Sequence, residues 1–154
     1  MVLVGLQIDD YDFEHLDIIE GVIRCQPDEV NEVMRMLDVK SVSTLIGIDV
    51  VDIKSLFECG SLFQFIQVSA TGNSISESVK AATQQLVSQL VAVHHAKGLL
   101  VTIESIESPS LDTLSYITEA VENSLFIDDE FIYYSSIMTD EPNCFLLKEI
   151  YAVA

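Results

Sequence analysis

The chain has 154 residues, which is enough for one domain with a sizeable hydrophobic core and too few for two large domains. Its formal net charge is -18, and the seven lysines and arginines are scattered among 25 aspartates and glutamates. A phosphate backbone or an anionic membrane surface would repel such a chain, so we expect neither a nucleic-acid partner nor a membrane partner.

The cysteines predict the compartment. Cys25, Cys59 and Cys144 have no CxxC spacing, and any disulfide scheme leaves one of them unpaired. This usage favours a reducing compartment, so the predicted location is the cytoplasm. The opening MVLVGLQIDD is typical of a strand rather than a signal peptide, because its apolar run is short and no basic leader precedes it.

The first 46 residues predict an amino-terminal extension with one strand and one helix. VLVGLQID is the strand, and PDEVNEVMRMLD is the helix, with Pro27 in its first turn. The apolar side of that helix consists of Val30, Val33, Met34 and Leu37.

The stretch GIDVVDIKSLFECG, residues 47–60, predicts a short helix with two carboxylates at its start. Asp49 and Asp52 stand three residues apart in front of an apolar side made by Ile53, Leu56 and Phe57. Aspartates in this place are typical helix caps, because their side chains accept hydrogen bonds from free amides and their charge suits the helix dipole.

From Ser61 onward the predicted order is strand, helix, strand, helix, strand, strand. SLFQFIQVSA is a strand, and the helix after it has Ser74 and Glu77 as a capping box. Its predicted apolar face consists of Ile75, Val79, Ala82, Leu86, Leu90 and Val93.

KGLLVTIES is a near-continuous apolar run, which predicts a central strand. ESPSLDTLSYITEAVENSL predicts a second helix with Ser108 as cap and Pro109 at its first position. Its predicted apolar stripe is Leu111, Leu114, Ile117 and Val121. EFIYYSSIM and NCFLLKEIYAV are two strands, and the intervening TDEPN predicts a hairpin.

These elements predict an α/β (α+β) domain over residues 47–154, with two helices on one face of a mixed sheet of about four strands. The second face of that sheet needs a cover. The amino-terminal extension would supply a helix for it, or self-association would bury it, and the sequence leaves both alternatives open.

The order of these segments resembles the carboxy-terminal domain of FtsZ, the bacterial cell-division GTPase related to tubulin. GIDVVDI falls on the family's synergy-loop pattern N-x-D-F-A-D-V, with Gly47, Val50 and Val51 in place of the asparagine, phenylalanine and alanine. FQFIQVSATG, AKGLLVTIES, PSLDTLSYITEAV and the two closing strands resemble the segments that follow in the family. The resemblance begins at Gly47 and covers about 70% of the chain. It implies the FtsZ/tubulin carboxy-terminal fold.

The resemblance also implies a role for the two aspartates. In the family, the aspartates of this loop reach into the nucleotide site of the next subunit in a filament and help to position the attacking water. The resemblance places Asp49 and Asp52 at those positions, as a partner-docking loop with carboxylates that act in trans. The cap and the docking loop are compatible interpretations of the same residues.

Nothing in the sequence predicts a cofactor. The family binds GTP through a glycine-rich segment of the GGGTGTG type, whereas this chain has six glycines and no two are adjacent. Amides that cradle phosphates need such glycines, so we expect no GTP binding by the chain alone. His94 and His95 are expected at a helix end, His15 has no defined ligand set, and we expect no metal.

Three functions fit these observations. The first is a non-enzymatic interaction domain that acts as a regulator or partner of an FtsZ/tubulin-like cytoskeletal GTPase. The second is a small oligomeric α/β enzyme or ligand-binding protein with a site between subunits, because a fold does not choose a function. The third is a relative that has kept the fold and serves an unrelated assembly.

Overall fold

The structure, a computed structural model, describes residues 4–7, 21–38, 47–71, 74–91, 96–124, 131–139 and 145–153. The strands are β1 (Val4–Gln7), β2 (Gly21–Arg24), β3 (Leu62–Ala70), β4 (Leu99–Ser105), β5 (Ile132–Met138) and β6 (Phe145–Val153). The described α-helices are α1 (Val30–Met36), α2 (Val50–Glu58), α3 (Ile75–Val91) and α4 (Leu111–Ser124), and a 3-10 turn, Pro27–Glu29, leads into α1. None of the described helices combines the length and the apolar character needed to cross a membrane.

The described strands form one mixed sheet in the order β1-β2-β3-β6-β4-β5. β1, β2 and β3 are parallel to one another, β4 is parallel to β5, and β6 runs antiparallel to both of its neighbours. The predicted fold class is confirmed. The described sheet has six strands rather than about four, because β1 and the unpredicted β2 from the amino-terminal extension continue it beyond β3. The division of the chain at residue 47 stays a prediction.

The predicted hairpin between the last two strands is wrong. Both strands exist, but β6 lies between β3 and β4, while β5 pairs with the far side of β4. Burial explains the arrangement, because the side chains described in β6 are buried on both faces of the sheet, as a central strand requires. The prediction that KGLLVTIES forms a central strand is confirmed, since every residue of β4 is buried.

One face of the sheet is covered by α3 and α4, and we call it the α3 face. Its cluster joins buried residues of α3 and α4 to alternate residues of β3, β4 and β6. The two ends of the predicted apolar stripes differ from expectation: Ile75 is 58% exposed and Leu111 is 71% exposed. Each is the first residue of its helix and lies before the turns that pack on the sheet. The hydroxyl of Ser110, rather than the predicted Ser108, accepts the amide of Thr113 and caps α4.

The opposite face is covered by α1 and α2, and we call it the α1 face. α1 buries Val33 and Met36, and α2 buries Ile53, Leu56 and Phe57 against the sheet. The amino-terminal extension therefore supplies a helix for this face, which is the first of the two alternatives that the sequence left open.

A network of four charged side chains joins α1 to the centre of the sheet. Lys148 on β6 is 1% exposed and makes ion pairs with Glu104 on β4 and Glu32 on α1. Arg35 on α1 donates to Glu104 at 2.6 Å and to the carbonyl oxygen of Met138 at 2.8 Å. Two cations and two carboxylates thus compensate one another, as a buried charge requires. The network fixes α1 over β4 and β6.

We predict that Lys148→Met lowers the free energy of unfolding by about 3–5 kcal/mol, because it leaves Glu104 as a buried carboxylate with reduced compensation. Adding Glu104→Gln to this variant should restore part of the loss. Urea denaturation followed by circular dichroism measures both. The matched control is the exposed Lys80 on α3, where Lys80→Met should stay within about 0.5 kcal/mol of the parent. If Lys148→Met and Lys80→Met lower the free energy of unfolding by the same amount, that result would contradict a buried ion network.

Candidate functional site

Asp49 and Asp52 form a reciprocal capping box at the start of α2. The Asp52 amide donates to Oδ1 of Asp49, and the Asp49 amide donates to Oδ2 of Asp52, each at 3.0 Å. Asp49 has the extended backbone of an N-cap, and its carbonyl accepts the first helical bond from Ile53 at 3.2 Å. The cap interpretation is confirmed. The structure brings the two predicted carboxylates together through bonds between their own backbone and side chains.

The box fixes both side chains without burying them completely. Asp49 is exposed and Asp52 is half-buried, and each box bond uses one oxygen of its carboxylate. Val51, which stands between them, is 69% exposed. The loop therefore presents two oriented carboxylates with an apolar side chain between them. Such a group can contact a protein surface, orient a water molecule or attract a cation.

The body of α2 anchors this loop to the α1 face of the sheet. Leu56 and Phe57 are almost completely buried, and the rings of Phe57 and Phe63 meet edge to face with centroids 4.7 Å apart. A methyl group at Gly21 would stand 2.8 Å from the Phe63 ring and 2.9 Å from the Phe57 ring. Because the far end of α2 is packed this tightly, its first turn has a fixed place beside the sheet.

A small crevice lies behind the loop, with Asp52 on its wall. Its volume is about 150 Å³ including open solvent, and its lining is Ile48, Asp52, Ile53, Leu56, Leu100 and Tyr133. Sites that enclose a small molecule usually measure roughly 300–1,000 Å³. The crevice is too small to enclose a nucleotide.

The described cysteines have no feature of a nucleophile. Burial, and then the charge of Glu29, raise the pKa of Cys25, and burial together with Glu58 raises the pKa of Cys59. A thiol with a raised pKa is protonated at neutral pH and reacts slowly. Cys144 and the three histidines considered in the sequence, His15, His94 and His95, lie outside the described residues.

Sequence reasoning missed the buried charges. It treated Lys148 as one of several scattered basic residues and assigned no role to Glu32, Glu104 or Glu149. A signal was present: the adjacent letters KE interrupt the apolar run FLLKEIYAV, which was predicted to be a strand. Charged side chains inside a strand that is buried on both faces need a partner or a neutral form.

Comparison with known proteins gives the fold and no closer relationship. No protein-family model matches the chain, and no curated protein matches it. A structure of a point mutant of FtsZ from M. jannaschii matches with a TM-score of 0.69 and 18% identity, over 88% of this chain and 47% of that one. CetZ2 from Haloferax volcanii, in a GTPγS-bound protofilament, matches with a TM-score of 0.61 and 13% identity, over 88% and 47%.

A third match is TubZ of Bacillus thuringiensis serovar israelensis in GDP-form protofilaments. Its TM-score is 0.57 at 10% identity, over 87% of this chain and 41% of that one. This chain thus spans about half the length of the solved structures that it matches, and the matched part is mostly their carboxy-terminal domain. These likenesses confirm the resemblance in fold, and they do not test the roles of Asp49 and Asp52.

We predict that Asp49→Ala lowers the free energy of unfolding by about 1 kcal/mol, because the amide of Asp52 loses its acceptor. Asp49→Asn should cost only a few tenths of that, since asparagine caps as well as aspartate. Urea denaturation of the two variants beside the parent chain measures the difference. If Asp49→Ala and Asp49→Asn lower the free energy of unfolding equally, the charge of Asp49 stabilises this turn rather than its hydrogen bond from the Asp52 amide.

Proposed function

We propose that the chain is a non-enzymatic interaction domain that docks on an FtsZ/tubulin-like cytoskeletal GTPase through the loop of Asp49, Val51 and Asp52. The observation that carries the proposal is the capping box, which fixes two carboxylates around the 69% exposed Val51. The same segment is where the sequence resembles the family's synergy loop. In this mode the chain would act as a decoy subunit that binds one end of a filament.

The fold supports this class of partner. The chain shares its architecture with the carboxy-terminal part of FtsZ, CetZ2 and TubZ, and the latter two were solved as protofilaments. A domain of this shape would occupy the place of the next subunit's carboxy-terminal part. The α1 face is already covered by α1 and α2, so docking through the loop requires no rearrangement of the sheet.

Electrostatics limits the partner surface. The chain carries a net charge of -18, and two of its carboxylates lie at the proposed point of contact. Complementary charge speeds association and selects partners, so the docking face of the GTPase should be basic around the nucleotide. The same attraction is screened by salt over roughly 8–10 Å, and docking should weaken as ionic strength rises.

The departures from the family pattern favour docking over catalysis in trans. Gly47 replaces an asparagine that could hydrogen-bond, and Val50 and Val51 replace a phenylalanine and an alanine. The carboxylates persist and would still contact the partner. We therefore expect the chain to change filament turnover rather than to complete the hydrolytic site. Such a partner would also place the chain in the cytoplasm, which agrees with the location predicted from the cysteines.

The test is GTP turnover and pelleting of the FtsZ-type protein of the same host, with and without this chain. We expect substoichiometric amounts of the chain to change both. Asp49→Asn and Asp52→Asn should abolish the effect, because they remove charge while asparagine can keep the cap. Asp112→Asn is the matched control, since Asp112 is exposed in the first turn of α4.

No change at a several-fold excess of the chain would contradict the proposal. An effect that survives Asp49→Asn and Asp52→Asn would also contradict it, because the contact would then lie elsewhere. Sedimentation of the chain alone, run in parallel, separates docking on the GTPase from self-association.

A further inference from the structure

Glu149, in the middle of β6, is completely buried and has no partner for its carboxyl group. Its exposure is 0%, and neither oxygen makes a hydrogen bond. In the sheet it lies opposite Ile66 of β3 and Val101 of β4. Side chains alternate along a strand, so Glu149 shares the α3 face with Leu147 and Tyr151. This is the face opposite the ion network of Lys148, its neighbour in sequence.

The described surroundings of Glu149 contain no cation. α3 lies over β3 and β6, and its charged residues Glu77 and Lys80 are exposed. α4 buries Ile117 and Val121 on this face, and its Glu122 accepts a hydrogen bond from Tyr134 of β5 at 3.4 Å. The remaining charged residues of α4, Asp112 and Glu119, are exposed.

The titratable neighbour on the same strand is Tyr151. Its hydroxyl donates to Oε1 of Gln64 at 2.6 Å rather than to Glu149. Burial raises the pKa of Tyr151, and an ionised Glu149 would raise it further, so the phenol is protonated at neutral pH. An ionised Glu149 would therefore stand in an apolar cluster without compensation, which is among the costliest arrangements in a protein interior.

We propose that Glu149 is a proton-operated latch, which allows α3 to close over β6 when it carries a proton and releases α3 from the sheet when it ionises. The release lets water reach the carboxylate. α3 is the element that moves, because it covers β6 on this face, whereas α1 and α2 lie on the other face.

The direction of the pH effect follows from burial. Burial raises the pKa of Glu149 well above its ordinary value of 4.5 in the closed form. In an open, hydrated form the group ionises near that ordinary value. As pH rises above it, the open form loses its proton first, so the closed form is progressively disfavoured until Glu149 ionises there too. One proton changes the ratio of closed to open forms by at most about tenfold per pH unit.

Hydrogen exchange of the full chain between about pH 5 and pH 8 tests the latch, with rates corrected for the intrinsic pH dependence of exchange. We expect the protection factors of amides in α3 and β6 to fall with rising pH, by up to about tenfold per unit. Amides of α2 should lack this additional dependence. Glu149→Gln, which is isosteric and does not titrate, should abolish it in α3. Glu119→Gln, at an exposed site on α4, should leave it unchanged.

Equal pH dependence in the parent chain and in Glu149→Gln would overturn the proposal. A second measurement does not depend on that variant folding. Infrared spectroscopy of the parent chain between about pH 5 and pH 8 should show the band of a protonated carboxyl group in apolar surroundings, and this band should disappear as pH rises. The absence of such a band throughout this range would also overturn the latch. Glu149→Met, which has a similar length and no charge, should reproduce the glutamine result.

Discussion

The described part of the structure depends on one buried cation, Lys148. Lys148 stands at the centre of the sheet on β6, and its ammonium group requires compensation there. Glu104 supplies one carboxylate from the neighbouring strand, and Glu32 supplies the other from α1. Because Glu104 also binds Arg35, both ends of the network include α1. The amino-terminal part of the chain is thereby fixed to a sheet whose remaining strands come from residues after Gly60. The side chains of Val33 and Met36 add buried apolar contact between α1 and the sheet. The ion pairs fix the position of α1 along the strands.

Closure of the α1 face holds α2 against the sheet. The helix is packed through Leu56 and Phe57, so its first turn projects from a rigid support. The capping box then fixes the two carboxylates in the same turn, so the proposed docking would use the residues that cap the helix. A cap made by serine or asparagine would serve the helix equally well. The negative charge of the two aspartates also suits the helix dipole, and it is the feature on which the proposed docking depends.

The sequence predicted the elements better than their arrangement. The spacing of apolar residues predicted β3, α3, β4, α4, β5 and β6 correctly, because each has an apolar face or a continuous apolar run. The turn residues of TDEPN suggested a hairpin, but pairing depends on which strand tolerates burial on both sides, and β6 does. β2, which consists of Gly21–Arg24, was not predicted. The capping box was readable from the spacing of Asp49 and Asp52, whereas the network around Lys148 joins residues up to 116 positions apart and has no local signature.

The most direct test of the docking account is photo-crosslinking from two exposed apolar positions. A photoreactive phenylalanine analogue would replace Val51 in one variant and Leu111 in another, since these side chains are 69% and 71% exposed. We predict that the variant at Val51 crosslinks to the nucleotide-bearing face of the FtsZ-type GTPase and that the variant at Leu111 does not. Crosslinks from Leu111 alone, or from neither position, would contradict docking through the loop of Asp49, Val51 and Asp52.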